Sequence, residues 1–308
     1  MPISTTAPVL VSGATGKQGG ATARALLAAG TPVRALVRDA TAGRARAVEE
    51  LGAELVTGDL DDRASLVRAA SGARAVFSVQ MPAFTGNGFD FDGEVAQARN
   101  LIEAAREAGV PHLVHTSVTG AGQHVQTPGW AEGRWASIEG TLGAKAAIQD
   151  LVRAAGFPYW TLLKPGFFME NFLPSSAFLF PRGVEGGLVS VLNPETRLSL
   201  VAVDDVGAAA AAAVADPRTF NKVELELASD HLSMTRIAEV LSQALGTHLP
   251  APDMTEAQAA AAGMPGPGAS HEYLNVAGQP GRPQYARDLG IPLTTFETWV
   301  RTYMSATA

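Results

Sequence analysis

The chain has no cysteine. That excludes disulfides, thiolate metal sites, cysteine nucleophiles and thiol-based redox sensing, and it leaves the redox compartment open. An excess of basic residues is also missing: 23 lysines and arginines stand against 30 acidic residues, a formal net charge of -7. A general nucleic-acid binder needs a basic face for phosphates, so this balance excludes that class while allowing a local basic pocket for one phosphate group. No long apolar run is present. The longest, Val206–Ala215, is alanine-rich and about half the length of a membrane span. Met1–Pro8 has neither a basic nor an apolar stretch of the kind a secretory signal carries. The expectation is a cytoplasmic protein without a membrane or nucleic-acid partner.

What is present is an apolar chain, 46% hydrophobic and only 17% charged, long enough at 308 residues for one large α/β domain or two joined ones. Its first half alternates regularly. Pro8–Ser12, Pro32–Val37, Ala53–Thr57, Ala73–Val79, His112–Ser117 and Tyr159–Leu163 are strand-like. Lys17–Ala29, Thr41–Leu51, Asp62–Ala70, Gly88–Ala108 and Trp135–Ala155 have helical spacing. Short apolar strands separated by such helices imply βαβ units and a parallel sheet. Gly30, Gly52, Gly72, Gly109 and Gly156 each follow a helical pattern, where a left-handed residue closes the last turn. The second half is less regular. It predicts strands at Arg197–Val203 and Val223–Ala228. Helices are predicted at Asp204–Ala215, capped by Asp204, at Ser233–Leu245, capped by Ser233, at Thr255–Ala262 and at Thr294–Met304. Gly263–Gly268 reads as a loop. On the last helix Phe296, Trp299, Val300 and Tyr303 form one stripe.

The strongest motif follows the first strand and opens the first helix: Gly13-Ala14-Thr15-Gly16-Lys17-Gln18-Gly19. Gly13 permits a tight turn, Gly16 lets backbone approach a pyrophosphate, and Gly19 lets the helix pack closely. The pyrophosphate would rest on the helix N-terminus, with Thr15 and Gln18 among its neighbours. The second strand ends at Arg38. An acid there would accept a ribose 2′-hydroxyl, whereas an arginine can grip a 2′-phosphate with two parallel N–H bonds. Arg38 therefore reads as an NADP(H) determinant or as a solvated strand-end arginine. Arg34 alternates with it on the strand and Arg44 lies on the next helix. Asp39, one residue on, is the group that could serve a ribose instead.

GATGKQG at Gly13–Gly19, Arg38 and Gly58-Asp59-Leu60 together resemble the NmrA-like group of atypical short-chain dehydrogenases/reductases. So does Lys145 followed by Phe157-Pro158-Tyr159-Trp160-Thr161-Leu162-Leu163-Lys164-Pro165-Gly166-Phe167-Phe168-Met169-Glu170-Asn171. The resemblance covers about the first 175 residues well and the rest in general layout. It implies an α/β fold: a Rossmann-type, doubly wound parallel sheet of six or seven strands with a smaller α+β C-terminal substrate region, divided as 1–165 and 166–308. It implies Asp59 and Leu60 near the adenine, Gln80 and Met81 along the cofactor riboses, Pro165 and Phe168 among the cofactor contacts, and Ser117 and Lys145 at the nicotinamide end. Members of the group are NADPH-dependent reductases or NADP-binding regulators.

Short-chain dehydrogenases commonly pair a tyrosine with a lysine four residues later on one helix face. Here Thr141 precedes Lys145, and an aliphatic hydroxyl is a far poorer proton donor than a phenol. Lys145 reads as an acid–base or cofactor-holding group, or as a solvated lysine. Ser117 reads as a hydroxyl that orients substrate, or as an ordinary strand end. His112, His115 and His124 lie close in sequence but lack a carboxylate or cysteine at ligand spacing, so no metal is expected. Trp130, Trp135, Phe167, Phe168, Phe172, Phe178 and Phe180 suggest an apolar pocket wall or ordinary core. The reading is an NADPH-dependent oxidoreductase that passes a hydride to a hydrophobic carbonyl, quinone or conjugated alkene. Its rival is a non-catalytic NADP(H) sensor with a regulatory protein partner. A homodimer fits either.

Overall fold

A computed structural model describes residues 6–86, 88–264 and 269–304. The elements run β1 (Val9–Val11), α1 (Lys17–Ala28), β2 (Val33–Val37), α2 (Gly43–Glu50), β3 (Glu54–Thr57), α3 (Arg63–Ala70), β4 (Ala75–Ser78), β5 (Ala83–Phe84), β6 (Phe89–Asp90), α4 (Phe91–Glu107), β7 (His112–Thr116), α5 (Ala136–Ala154) and β8 (Tyr159–Pro165). They continue with β9 (Phe167–Phe168), β10 (Arg197–Val201), α6 (Val203–Ala215), β11 (Val223–Leu227), β12 (Asp230–Ser233), α7 (Met234–Leu245), α8 (Glu256–Ala261), α9 (Ala269–Ala277), α10 (Pro283–Arg287) and α11 (Phe296–Tyr303). The chain divides into two compact units. One comprises Met1–Gly122, Gly140–Lys164 and Val203–Leu225; the other comprises Gln123–Glu139, Pro165–Ala202 and Glu226–Ala308.

The first unit is built on a seven-stranded sheet of order β11-β8-β7-β4-β1-β2-β3. Every pairing from β3 across to β8 is parallel. The central strands β1, β4 and β7 are buried along their whole length because both faces are covered, whereas the edge strands β3 and β11 are only partly so. On one face Leu10, Leu36, Val76, Leu113 and Leu162 share a core with Leu66 of α3, Leu101 and Ala105 of α4 and Val152 of α5. Elsewhere α1 and α6 meet so closely that a Cβ at Gly207 would strike the Ala21 carbonyl. The doubly wound parallel architecture is thus the one expected. All five glycines placed after helical patterns have positive φ, from 70° at Gly30 and Gly156 to 102° at Gly52.

Three local expectations are corrected. The helix predicted from Gly88 starts at Phe91, because Asp90 caps it by accepting from Gly93 N at 2.8 Å. The residues before it form an antiparallel hairpin, β5–β6. Asp204 is not an N-cap: α6 begins at Val203, and Asp204 sits in its first turn, paired with Arg24 at 2.7 Å. The β10 strand ends at Val201, two residues short of the expected Val203.

The second unit carries a three-stranded sheet, β12-β10-β9, in which β9 runs parallel and β12 antiparallel to β10. A Cβ at Gly166 would fall on the Ser199 carbonyl, so the chain passes there only as glycine. Ser233 caps α7 as expected, accepting from Arg236 N at 3.2 Å. Phe296, Trp299 and Val300 of α11 are buried, whereas Tyr303 is 47% exposed and only leans on Trp299. Of the predicted Gly263–Gly268 loop, residues 265–268 lie outside the described residues.

Candidate functional site

In the first unit, β1 lies between β4 and β2, so successive crossovers leave it in opposite directions. A crevice opens at the carboxyl ends of strands where such a reversal occurs. Ser12, just after β1, and Val79, just after β4, close its base: Val79 N donates to Ser12 Oγ at 2.9 Å, and Ser12 Oγ donates to Val79 O at 3.2 Å. The glycine turn rises from this point. Gly13 has φ 61°, and a Cβ on it would come within 2.7 Å of Val79 Cγ1. A Cβ on Gly19 would drive into the Ser12 and Gly13 carbonyls. Gly16 is the N-cap of α1, with no side-chain cap and no acid in the first turn. Gly13, Thr15 and Gly16 are exposed. The turn therefore presents an uncapped helix start, with its positive dipole end facing outward. Gln18 is drawn across to β7, its Oε1 accepting from Thr116 Oγ1 at 2.7 Å.

The next strands hold the other predicted residues. Arg38 is exposed at the end of β2. Arg34 is not free to help it: its guanidinium donates to the Ala69 and Ser71 carbonyls at 2.8 and 2.9 Å and to Glu54 at 3.3 Å. Asp39 turns back on Thr41, accepting from its N at 2.8 Å and from its Oγ1 at 2.6 Å. These bonds hold its carboxyl below the ordinary range. Asp59 and Leu60 follow β3 in a local brace: Asp59 Oδ1 accepts from Asp61 N at 3.0 Å, and the Leu60 carbonyl accepts from Asn100 Nδ2 at 2.9 Å.

Beyond Val79, Gln80 is buried and Met81 is 68% exposed. The Gln80 carbonyl accepts from Lys145 Nζ at 3.0 Å. Lys145 comes from α5 and is itself buried, and its Nζ also lies 2.5 Å from Glu94 Oε1 of α4. Glu94 is 1% exposed, and its second oxygen, Oε2, is buried without a partner among the described residues. The helices can approach because Gly140 lacks a side chain: a Cβ there would meet the Phe91 ring at 2.5 Å. Ser117 Oγ is held by Gln149 Nε2 at 2.9 Å, one turn further along α5. Ser117 and Lys145 are thus both buried but belong to separate hydrogen-bonded sets. Thr141 is exposed.

A profile of the NmrA-like family matches residues 5–262. The chain belongs to that family. An NAD(P)H azoreductase of Xenophilus azovorans is 29% identical over 311 residues, covering 97% of this chain and 98% of its own. Among solved structures, an NADPH-dependent quinone oxidoreductase from Escherichia coli, complexed with NADPH, superposes with a TM-score of 0.74 at 22% identity, over 96% of this chain and 99% of that one. A triphenylmethane reductase from Citrobacter sp., complexed with NADP(H), reaches a TM-score of 0.76 at 20% identity, over 96% and 100%.

In this NmrA-like chain the remaining sequence candidates have structural work. His115 is fully buried, with Nδ1 3.1 Å from Ser78 Oγ; burial first, and then the Lys145 ammonium, push its pKa down to about 3. Burial, aided by Arg74, lowers His112 to about 4. His124 belongs to the second unit, where its ring packs 4.6 Å from that of Trp130. Of the two readings of the aromatic residues, pocket wall or ordinary core, most of them take the second. Phe167, Phe172 and Phe180 are buried with Phe296 and Trp299, and Phe178 packs against the same cluster. Trp135 lies under the Arg134 guanidinium, its Nε1 donating to the Pro128 carbonyl at 2.8 Å. Phe168 is half-buried on β9, and Pro165 is buried at the end of β8. Sequence reasoning passed over Ser12, Val79 and Glu94. The signal for Glu94 was a carboxylate on the stripe that α4 buries with Ala98, Leu101 and Ala105.

Proposed function

We propose that this chain is an NADPH-dependent oxidoreductase that passes a hydride to a hydrophobic carbonyl, quinone or conjugated alkene. One observation carries the reading. Two consecutive residues, Val79 and Gln80, connect the glycine turn to a buried lysine: Val79 touches the turn, and the Gln80 carbonyl holds Lys145 Nζ. On this reading the dinucleotide cradle and the acid–base group are joined through two adjacent residues at the switch point. The names of the azoreductase, the quinone oxidoreductase and the triphenylmethane reductase support the same class.

The turn fits a pyrophosphate. Its glycines stand where Cβ atoms would fill it, and the helix start is uncapped and exposed. Gly13, Thr15, Gly16 and the first turn of α1 are assigned to the pyrophosphate. Gly19 is assigned to shaping the turn and Gln18 to its edge. Arg38 takes the 2′-phosphate of NADP(H), Asp59 and Leu60 the adenine side, and Gln80 and Met81 the riboses. Residues 166–308 supply the substrate region. When bound, the cofactor supplies the hydride. Lys145 orients the acceptor and delivers the proton that balances the added hydride, and Ser117 is placed as a second hydroxyl donor.

Anaerobic NADPH oxidation across quinones, azo compounds, enones and aldehydes tests this reading. Turnover with at least one hydrophobic acceptor is expected, with NADPH preferred to NADH. Tight NADPH binding without consumption across the panel would replace the reading with that of an NADP(H)-binding regulator.

A further inference from the structure

An ammonium has three N–H donors. In Lys145 two of them are engaged, one by Glu94 Oε1 and one by the Gln80 carbonyl. One remains. The direction of that remaining donor is set by the two fixed acceptors, and Glu94 is the only one of them that carries charge. Glu94 is itself fully enclosed, and among the described residues its Oε2 meets no partner and its only ion pair is with Lys145. A buried carboxylate with half its acceptor sites unmatched is costly to keep. A side chain serving packing alone at this point of the α4 stripe would be apolar, as Ala98, Leu101 and Ile102 are.

We infer that Glu94 is a positioning residue for the reaction: it holds Lys145 Nζ so that its third N–H is aimed into the crevice. The inference rests on the reductase reading for its catalytic consequence, but the pairing itself can be tested without cofactor or substrate. Three features fix the geometry. Asp90 caps α4 one turn before Glu94. Phe91 seats α4 against Gly140 of α5. The Ser12–Val79 bonds hold the strand end from which Gln80 follows. Each element that carries a partner of Lys145 is therefore anchored by a separate contact.

The first measurement uses the ligand-free protein. The sequence has four lysines, Lys17, Lys145, Lys164 and Lys222, so amine acylation can be followed at each by peptide mass spectrometry. Lys145 should be strongly protected in the native chain. In Glu94→Gln it should react on the order of tenfold faster, because a neutral amide no longer pins the amine. Lys164, which pairs with Glu224 at 2.7 Å, should not change and serves as the internal control. Equal labelling of Lys145 in both proteins overturns the pairing.

The second measurement uses an acceptor that the native enzyme reduces. Glu94→Gln should lower kcat by about 10²-fold while KM and the NADPH Kd shift by less than about threefold. In a Lys145→Met background the same substitution should cost nothing further, since its effect runs through the lysine. A full additional loss in that background, or an unchanged kcat in the single variant, overturns the positioning role. If Glu94→Gln does not fold, Glu94→Asp replaces it: the carboxylate, shortened by one methylene, should show the same coupling to Lys145→Met with a smaller loss. If no acceptor is reduced by the native protein, the reductase reading fails and the catalytic role fails with it, whereas the labelling result still decides whether Glu94 holds Lys145.

Discussion

Thr141 and Lys145 stand one turn apart on α5, yet Thr141 is exposed while Lys145 is buried with its Nζ held by Glu94 and Gln80. The position that would carry a phenol in a tyrosine–lysine pair therefore faces solvent with a weak donor. Lys145→Met should lower kcat by about 10²–10⁴-fold, the usual worth of a positioned acid–base group. Thr141→Ala should change it by less than about threefold, since an aliphatic hydroxyl adds little to proton transfer. Steady-state kinetics with one acceptor measures both. A larger loss in Thr141→Ala than in Lys145→Met would reverse the assignment.

Arg38 is exposed at the end of β2, and its neighbour Arg34 is committed to the Ala69 and Ser71 carbonyls. A 2′-phosphate thus has one arginine to meet on this strand. Arg38→Ala should weaken NADPH by roughly ten- to a hundredfold, as expected for a lost charge-assisted hydrogen bond, with NADH little affected. Titration calorimetry with both cofactors decides it. Equal losses for the two would remove Arg38 from the phosphate site.

Gly16 and Gly19 should differ in their response to an added side chain. At Gly19 a Cβ collides with backbone carbonyls, so Gly19→Ala should destabilise the protein by about 1–3 kcal/mol, as overpacking does, and weaken NADPH. At Gly16 the nearest atom, the Gly13 carbonyl oxygen, is 3.3 Å away, so Gly16→Ala should keep the fold, and Gly16→Val should lose NADPH binding at near-native stability. Thermal unfolding read beside calorimetry separates the cases. Native NADPH affinity in Gly16→Val would place the pyrophosphate elsewhere.

Acid should withdraw stability over two overlapping pH ranges. His112 and His115 are held at about 4 and about 3, chiefly by burial, against an ordinary 6.5. The unfolded chain takes up these protons first, so their contribution is whole above pH 6.5 and lost as pH falls through 4 and 3. Glu224 follows. The Arg153 guanidinium, and then the Lys164 ammonium, hold its carboxyl at about 2, against an ordinary 4.5. Its contribution is whole above pH 4.5 and disappears as pH falls through 2. Glu224→Gln should therefore lower Tm near pH 7, and the gap to the native protein should close between pH 4.5 and 2. Calorimetry across that range tests the sign; a gap independent of pH would show that the charge of Glu224 plays no part.

The first unit was readable in sequence because each of its rules is local. An apolar strand, a glycine turn and an alanine-rich helix follow one another within Val9–Ala28, and the later βα steps repeat the strand–helix alternation except where the β5–β6 hairpin precedes α4. The residues that complete the site were harder to read, because their partners are distant along the chain. Glu94 meets Lys145 across 51 positions, and Ser12 meets Val79 across 67. Neither pair has a periodic signature. Gly88 to Asp90 joined a helical pattern by composition, but Asp90 is a strong cap, and a cap sets where a helix starts more firmly than the apolar spacing before it. In the second unit, Phe167, Phe172 and Phe180 could line a pocket or fill a core on type alone. Only their packing around Phe296 and Trp299 decides for the core.

The contact of Gly207 with Ala21 has a consequence for how the chain is made. Helix α1, whose first turn is assigned above to the pyrophosphate, is backed by α6, and Arg24 on α1 meets Asp204 on α6 at 2.7 Å. A ribosome releases Val203–Ala215 long after Lys17–Ala28. Throughout that interval the early helix lacks the surface that covers it, so the turn can reach its final form only when more than two-thirds of the polypeptide has emerged. A nascent chain stalled before residue 203 should accordingly fail to retain NADPH, even though every glycine of the motif is already outside the exit tunnel.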